Sequence, residues 1–397
     1  MISRPSPEAE MLIINIFKLT EDTMKKSIII NLACILFLLS KIGIADIKPF
    51  CSSYVGQEVD TTVQKAYDLR INGKLDEAKV LLEEAIVKDS SNAAAHYELA
   101  RLQLHRALGI FNKENLSNLL GEVRSNINKA VKLNPQNFIY TYFSGYIGFM
   151  QAYFSLMTGD QPGEKHAIAM KNFESALKIK PDHYQTKLYL IELYNQFPEE
   201  SGGDKSKAEQ YVVQLESIGG VIGAKARSII LPEETNRVYY WQNVLKQLND
   251  NADVLEELGK AYLGEDKVDS AVSCFEKAIE IDREKTFLYL DMSIYYSFRG
   301  MRAGDDKELL KKSLVEGDSA LVRYIESKPI NPMLAYAVGV RGKYKFISGE
   351  KEQGQKLIKE AEALDPYFSK ATGAPSTDLF IPAGEISKNH RYLLRPF

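Results

Sequence analysis

The chain has 397 residues, 45% of them apolar and 26% charged, with a formal net charge of −3. That composition belongs to ordinary globular proteins, and the length allows two or three domains or one long repeat array. The charge balance leaves no basic footprint, which disfavours sequence-wide electrostatic attraction to nucleic acid.

Residues 1–23 carry Glu8, Glu10, Glu21 and Asp22 against Arg4 and Lys18. An acidic leader is a poor export start, so this segment reads as an upstream start and Met24 as the initiator. From Met24, Lys25-Lys26 precede the apolar run Ser27–Ser40, and Gly43 and Ala45 follow it. A basic start, a short apolar middle and small residues make 24–45 a predicted signal peptide, with the mature chain beginning at Asp46 and exported to the periplasm or outside the cell. The alternative is an uncleaved membrane anchor through residues 27–44. Cys34 lacks the preceding aliphatic residue of a lipoprotein signal. Cys51 and Cys274 are too few for a disulfide scaffold, and Cys274, between Ala271 and Phe275, reads as a small buried apolar residue.

After an entry segment, 46–58, helical periodicity begins. Ala66, Leu69, Gly73, Ala78, Leu82 and Ala85 fall at the same offsets as Gly259, Tyr262, Asp266, Ala271, Phe275 and Ala278. A second unit opens near Ala93 and ends with Ile127, Ala130 and Pro135, with an enlarged link around Gly109–Gly121. The third has Gly145 in its first helix and Ala169, Phe173 and Ala176 in its second, again with an enlarged link near Thr158–Lys165. Its stretch Phe138–Gly159 contains no charged residue, but Tyr, Ser, Thr, Gly and Gln lie on every face, so it is expected to be a helix buried in the array rather than a membrane span. The fourth unit turns through Gly202-Gly203-Asp204-Lys205, where Asp204 is a candidate N-cap. Register is lost over 218–251, which carries Trp241. It returns at Ala252–Arg283 and continues through two further units to 366, the first of these with a long insertion around Gly300–Asp318. The tail, 367–397, carries Pro375, Pro382 and Pro396 and keeps no helical period.

The segment Ala252–Arg283, in which Leu255, Leu258, Gly259 and Tyr262 precede a polar turn and Ala271, Phe275 and Ala278 follow it, resembles a tetratricopeptide repeat of about 34 residues. The resemblance implies an all-α, right-handed superhelical solenoid of stacked helix–turn–helix hairpins with enlarged inter-helix insertions. It divides the chain into repeats 1–4 over 59–217, degenerate or spacer helices over 218–251 and repeats 5–7 over 252–366. In such proteins the first helix of each hairpin lines a concave groove. Carried onto this sequence, the groove positions are Tyr67, Arg70, Tyr97, Arg101, Tyr142, Tyr146, Phe149, Glu192, Glu256, Lys260, Phe287, Phe298, Lys343 and Phe346.

Motifs of chemistry are missing: there is no H-E-x-x-H, C-x-x-C, G-x-x-x-x-G-K-[ST] or G-x-S-x-G. His96, His105, His166, His183 and His390 include no pair at helical metal spacing. The expectation is therefore a non-enzymatic scaffold without cofactor or metal, capturing a protein or extended peptide in an aromatic groove. A second reading keeps an apolar small molecule as ligand, because an exported chain with an aromatic interior also looks like the T component associated with TRAP solute transporters. An enzyme would require His96, His105 and His166 to share one pocket.

Overall fold

The computed structural model describes residues 60–109, 113–157 and 165–371. The expected leader, signal segment and entry segment, and the tail from 372, lie outside the described residues. Among these, every regular element is helical: sixteen α-helices and three short 3-10 turns.

The helices form consecutive antiparallel pairs. They are α1 (Thr61–Ile71) with α2 (Leu75–Lys88), α3 (Ala93–Leu108) with α4 (Lys113–Leu133), α5 (Phe138–Met157) with α6 (Lys165–Ile179), and α7 (Tyr184–Gln196) with α8 (Lys205–Glu216). After α9 (Gly220–Ile230) and α10 (Arg237–Leu248) the pairing resumes: α11 (Ala252–Gly264) with α12 (Val268–Ile281), α13 (Leu288–Met301) with α14 (Lys307–Glu326), and α15 (Asn331–Ile347) with α16 (Lys351–Leu364). Several helix starts answer a local signal. Asp60, Asn92, Asp204, Asn251 and Asp306 each accept a hydrogen bond from a backbone N–H in the first turn, satisfying donors the helix itself cannot.

In two hairpins the helices touch through a glycine on the first and a phenylalanine ring on the second. A Cβ on Gly259 would lie 2.4 Å from the Phe275 ring, and one on Gly145 would lie 2.6 Å from Phe173. The same contact recurs in two hairpins because both sequences place Gly and Phe at equivalent offsets. Gly259→Ala is therefore expected to force the helices apart at a cost of about 1–3 kcal/mol, measurable by urea unfolding.

The enlarged links at Gly109–Gly121 and Gly300–Asp318 are mostly helix. They lengthen α4 to 21 residues and α14 to 20, so the extra chain adds turns to second helices instead of forming loops. The stretch 218–251 is helical as well. Here α9 packs on α7 and α8, while α10 packs on α11, and Ile229, Val238, Trp241 and Val244 join one core that runs from Val63 to Ala371. Among the described residues no helix is long and apolar enough to cross a membrane; α5 is a core helix, buried at every position from Ile139 to Phe149.

The array closes on itself. The turn after α16 docks on the first two hairpins: His105 Nε2 donates to Asp365 Oδ2 at 2.7 Å, and the Phe368 ring stands 4.1 Å from the His105 ring. The Tyr367 hydroxyl reaches Asp76 at 3.4 Å, and the Arg106 guanidinium lies over the Tyr367 ring. Gly73, at φ +78°, presses so close to Leu364 that a Cβ would fall 1.9 Å from its carbonyl oxygen. Only glycine serves there, for conformation and for space.

Candidate functional site

Seven consecutive buried residues span nearly two full turns and so cover every face of a helix. Such runs occur at His96–Leu102 in α3, Leu188–Tyr194 in α7, Val254–Lys260 in α11 and Leu290–Tyr296 in α13. All are first helices. Second helices keep an exposed stripe, as α2 does through Glu83, Glu84 and Val87. The first helices therefore form the interior, and their charged residues are inside with them.

Two ionic clusters stand out. In the first, Arg70 Nε donates to Glu98 Oε1 at 2.5 Å and Arg101 Nη1 to Glu98 Oε2 at 3.0 Å, all three side chains having no exposed surface. Both guanidinium groups lie 5.5 Å from the Tyr67 ring centroid, and Arg101 also covers Tyr97. Burial lowers the pKa of Arg70, with Glu98 opposing and Arg101 adding to the effect. Burial pushes the Tyr67 phenol up to about 12 despite both arginines. This cluster joins α1 to α3.

The second cluster joins α9, α11 and the 3-10 turn Arg283–Phe287 that leads into α13. Lys225 pairs with Glu257 at 3.2 Å and Lys260 with Glu257 at 2.9 Å. Lys260 also bonds Glu256, while Lys285 bonds Glu256 at 2.8 Å and Asp253 at 2.5 Å. Burial opposes the Lys260 charge, but Glu256, Glu257 and Asp291 outweigh it and hold its pKa above the ordinary value. Lys225 thus ties the stretch of broken register to the well-formed hairpin.

The aromatic positions expected in the groove lie in packing between hairpins. Tyr97 meets Tyr140 at 5.0 Å and the edge of Phe143 at 5.4 Å. Tyr142 sits between Phe173 of its own hairpin and Tyr189 of the next, and Tyr146 and Phe149 also reach Tyr189. Glu192 and Phe287 are buried, Phe298 and Lys343 half-buried, and Phe346 is exposed. Burial lowers the Lys343 amine to about 8, and it donates to the Ala371 carbonyl at 3.2 Å. Charged partners that the groove offsets missed are Glu98, Glu257, Lys225, Lys285, Asp291 and Asp365.

The four histidines among the described residues meet separate partners, and His390 lies outside the described residues. His96 bonds Asn126 and the Ser90 carbonyl, His105 bonds Asp365, His166 stacks on Phe197 at 4.6 Å, and His183 caps α7. Among the described residues no group of three His, Cys, Asp or Glu side chains is arranged to hold a metal ion. Cys274 is buried, which raises its thiol to about 11. Burial lowers the pKa of His105 below 6.5, with Asp365 and Glu98 pulling it up and Arg70 down. The unfolded chain then binds the proton more readily than the folded one. Stability is expected to be full above about pH 6.5 and to fall as the pH drops below it, and His105→Gln should flatten that slope in unfolding midpoints measured between pH 7 and 5.

The tetratricopeptide-repeat family profile matches residues 252–285, the α11–α12 hairpin. That segment is a tetratricopeptide repeat. Its Gly–Phe contact reappears between α5 and α6, so the repeat's packing rule extends beyond the matched residues. No curated protein matches the chain. Solved structures similar to it include MamA, at 16% identity and TM-score 0.28, covering 58% of this chain and 98% of that one. Others are YrrB, described as a TPR protein with an unusual peptide-binding site, at 13% and 0.28 (59% and 92%), and a human IFIT1 dimer with m7Gppp-AAAA, at 14% and 0.33 (82% and 76%). At those scores the likeness is too remote to argue from.

Proposed function

We propose that the chain is a non-enzymatic interaction scaffold that holds an extended protein segment against the inner first helices. The observation that carries this reading is the row of fixed charges among aromatic rings on those helices: Arg70, Glu98, Arg101, Glu192, Glu256, Lys260 and Asp291. The hairpin at residues 252–285, which matches the tetratricopeptide-repeat profile, favours the scaffold over a transporter component. Export is part of the reading, with residues 24–45 removed before the ring assembles.

Native mass spectrometry on protein purified from the exported fraction tests both parts. A mass beginning at Asp46 with a retained peptide or protein is expected. A retained lipid or apolar solute would overturn the scaffold reading, and an intact Met24 start would make the chain membrane-anchored.

A further inference from the structure

We infer that Arg124 and Lys165 form an anion site against α5, between the second and third hairpins, that takes a phosphate dianion. Such a site stands whether or not the inner first helices hold a peptide.

Helix α5 carries no Asp, Glu, Lys, Arg or His, yet a cation reaches it from each of its neighbours. Arg124 of α4 donates through Nη1 to Gln151 Oε1 at 2.6 Å, and Lys165 of α6 donates through Nζ to Ser155 Oγ at 2.6 Å. Gln151 and Ser155 lie one turn apart on the same face of α5, so the two cations converge on about 6 Å of helix. Both acceptors are held by the fold. Ser155 is 1% exposed and Gln151 9%, and Gln151 Nε2 donates to the Leu120 carbonyl at 3.3 Å, which turns its oxygen toward Arg124.

Neither cation meets a carboxylate among the described residues. The positions one helical turn from Arg124 hold Leu120, Gly121, Ile127 and Asn128, and those from Lys165 hold Ile168 and Ala169. The nearby acids are engaged elsewhere: Glu122 accepts from Gln103, and Glu174 accepts from Tyr194 and pairs with Lys207. Burial lowers the pKa of Arg124 with no acid opposing it, and its Nη2 is buried without an acceptor.

Charge balance selects the ligand. The carbonyl end of α5 supplies about half a negative unit, which leaves about one and a half positive units on the two cations. A carboxylate carries one negative charge, whereas a phosphate group carries about 1.5 to 2 near pH 7. The guanidinium offers paired donors and the ammonium a point charge, and a phosphate has oxygens for both. Both side chains are half-buried, which leaves them open to a small ion and screens them less than fully exposed charges.

Calorimetric titration of the full chain with inorganic phosphate at low ionic strength tests the site. Saturable binding is expected, weakened at least about tenfold by Arg124→Gln and by Lys165→Gln, with acetate weaker than phosphate by a similar factor. Lys187→Gln removes another lysine that donates to a glutamine side chain, Gln214, and should leave binding unchanged. Should Arg124→Gln fail to fold, Lys165→Gln, on the first turn of α6, carries the test. Two sources of the same chemistry both support the site: tighter binding of inorganic phosphate assigns a free ion, and tighter binding of N-acetyl-O-phosphoserine amide assigns a phosphoryl group on a partner's side chain. Absence of saturable binding, acetate binding as tightly as phosphate, or binding indifferent to Lys165→Gln would overturn it.

Discussion

Glu98→Ala is expected to destabilise the fold by about 3–5 kcal/mol, because it leaves two buried guanidinium groups facing each other without their shared carboxylate. Arg70, Glu98 and Arg101 are all fully buried, and Glu98 is the anion placed between them. The pair Arg70–Glu98 also bridges the first helices of two successive hairpins, so the loss falls on the stacking of repeats as well as on one site. Glu98→Gln keeps the shape and removes the charge. It should recover the part of the loss due to the cavity and leave the part due to unbalanced charge. Urea unfolding of the three proteins, followed by circular dichroism, separates these terms. Equal midpoints for wild type and Glu98→Ala would mean that the arginines are satisfied without Glu98.

Asp365→Ala is expected to cost a similar amount, about 3–5 kcal/mol, and to do so by opening the ring. The carboxylate accepts from His105 through one oxygen and from the backbone N–H groups of Tyr367 and Phe368 through the other. Hydrogen bonds to a charged group contribute about 1.5–3 kcal/mol each, and all three end on Asp365. Without it the turn that carries Tyr367 and Phe368 loses its shape, and the contacts to Asp76, Arg106 and His105 go with it. The hairpins themselves should persist. The expected signature is an unchanged helical content, a lower unfolding midpoint and faster hydrogen exchange in α1–α3. Uniform loss of helix would show instead that Asp365 is needed for the whole array.

What could be read in the sequence was what repeats locally. The Gly259–Phe275 pair, the Asp204 cap and the helical class each depend on residues within one hairpin, where spacing translates directly into contact. What escaped was whatever joins one hairpin to another. Arg70 and Glu98 lie 28 residues apart and His105 and Asp365 lie 260 apart, and no periodicity connects such pairs. Closure depends on small rotations added over all the hairpins, which no single repeat's spacing encodes. The groove offsets placed Tyr142 correctly on a first helix. They could not foresee that Phe173 and Tyr189 would enclose its ring. A signal for one missed charge was nevertheless present: Asp291 within LYLDMSIYY is a single acid in an otherwise apolar stretch of a first helix, which marks a charge destined for the interior.

The array is a ring closed between its first and last hairpins, with the first helices inside. Spin labels at Glu77→Cys and Glu362→Cys, with Cys34 and Cys51 replaced by serine and the buried Cys274 by alanine, measure it directly by pulsed electron resonance. A closed ring predicts one short, narrow distance between the labels, broadened and lengthened by Asp365→Ala. A long or broad distribution in the protein with Asp365 intact would contradict the closure, and with it the enclosed inner surface on which the proposed function rests.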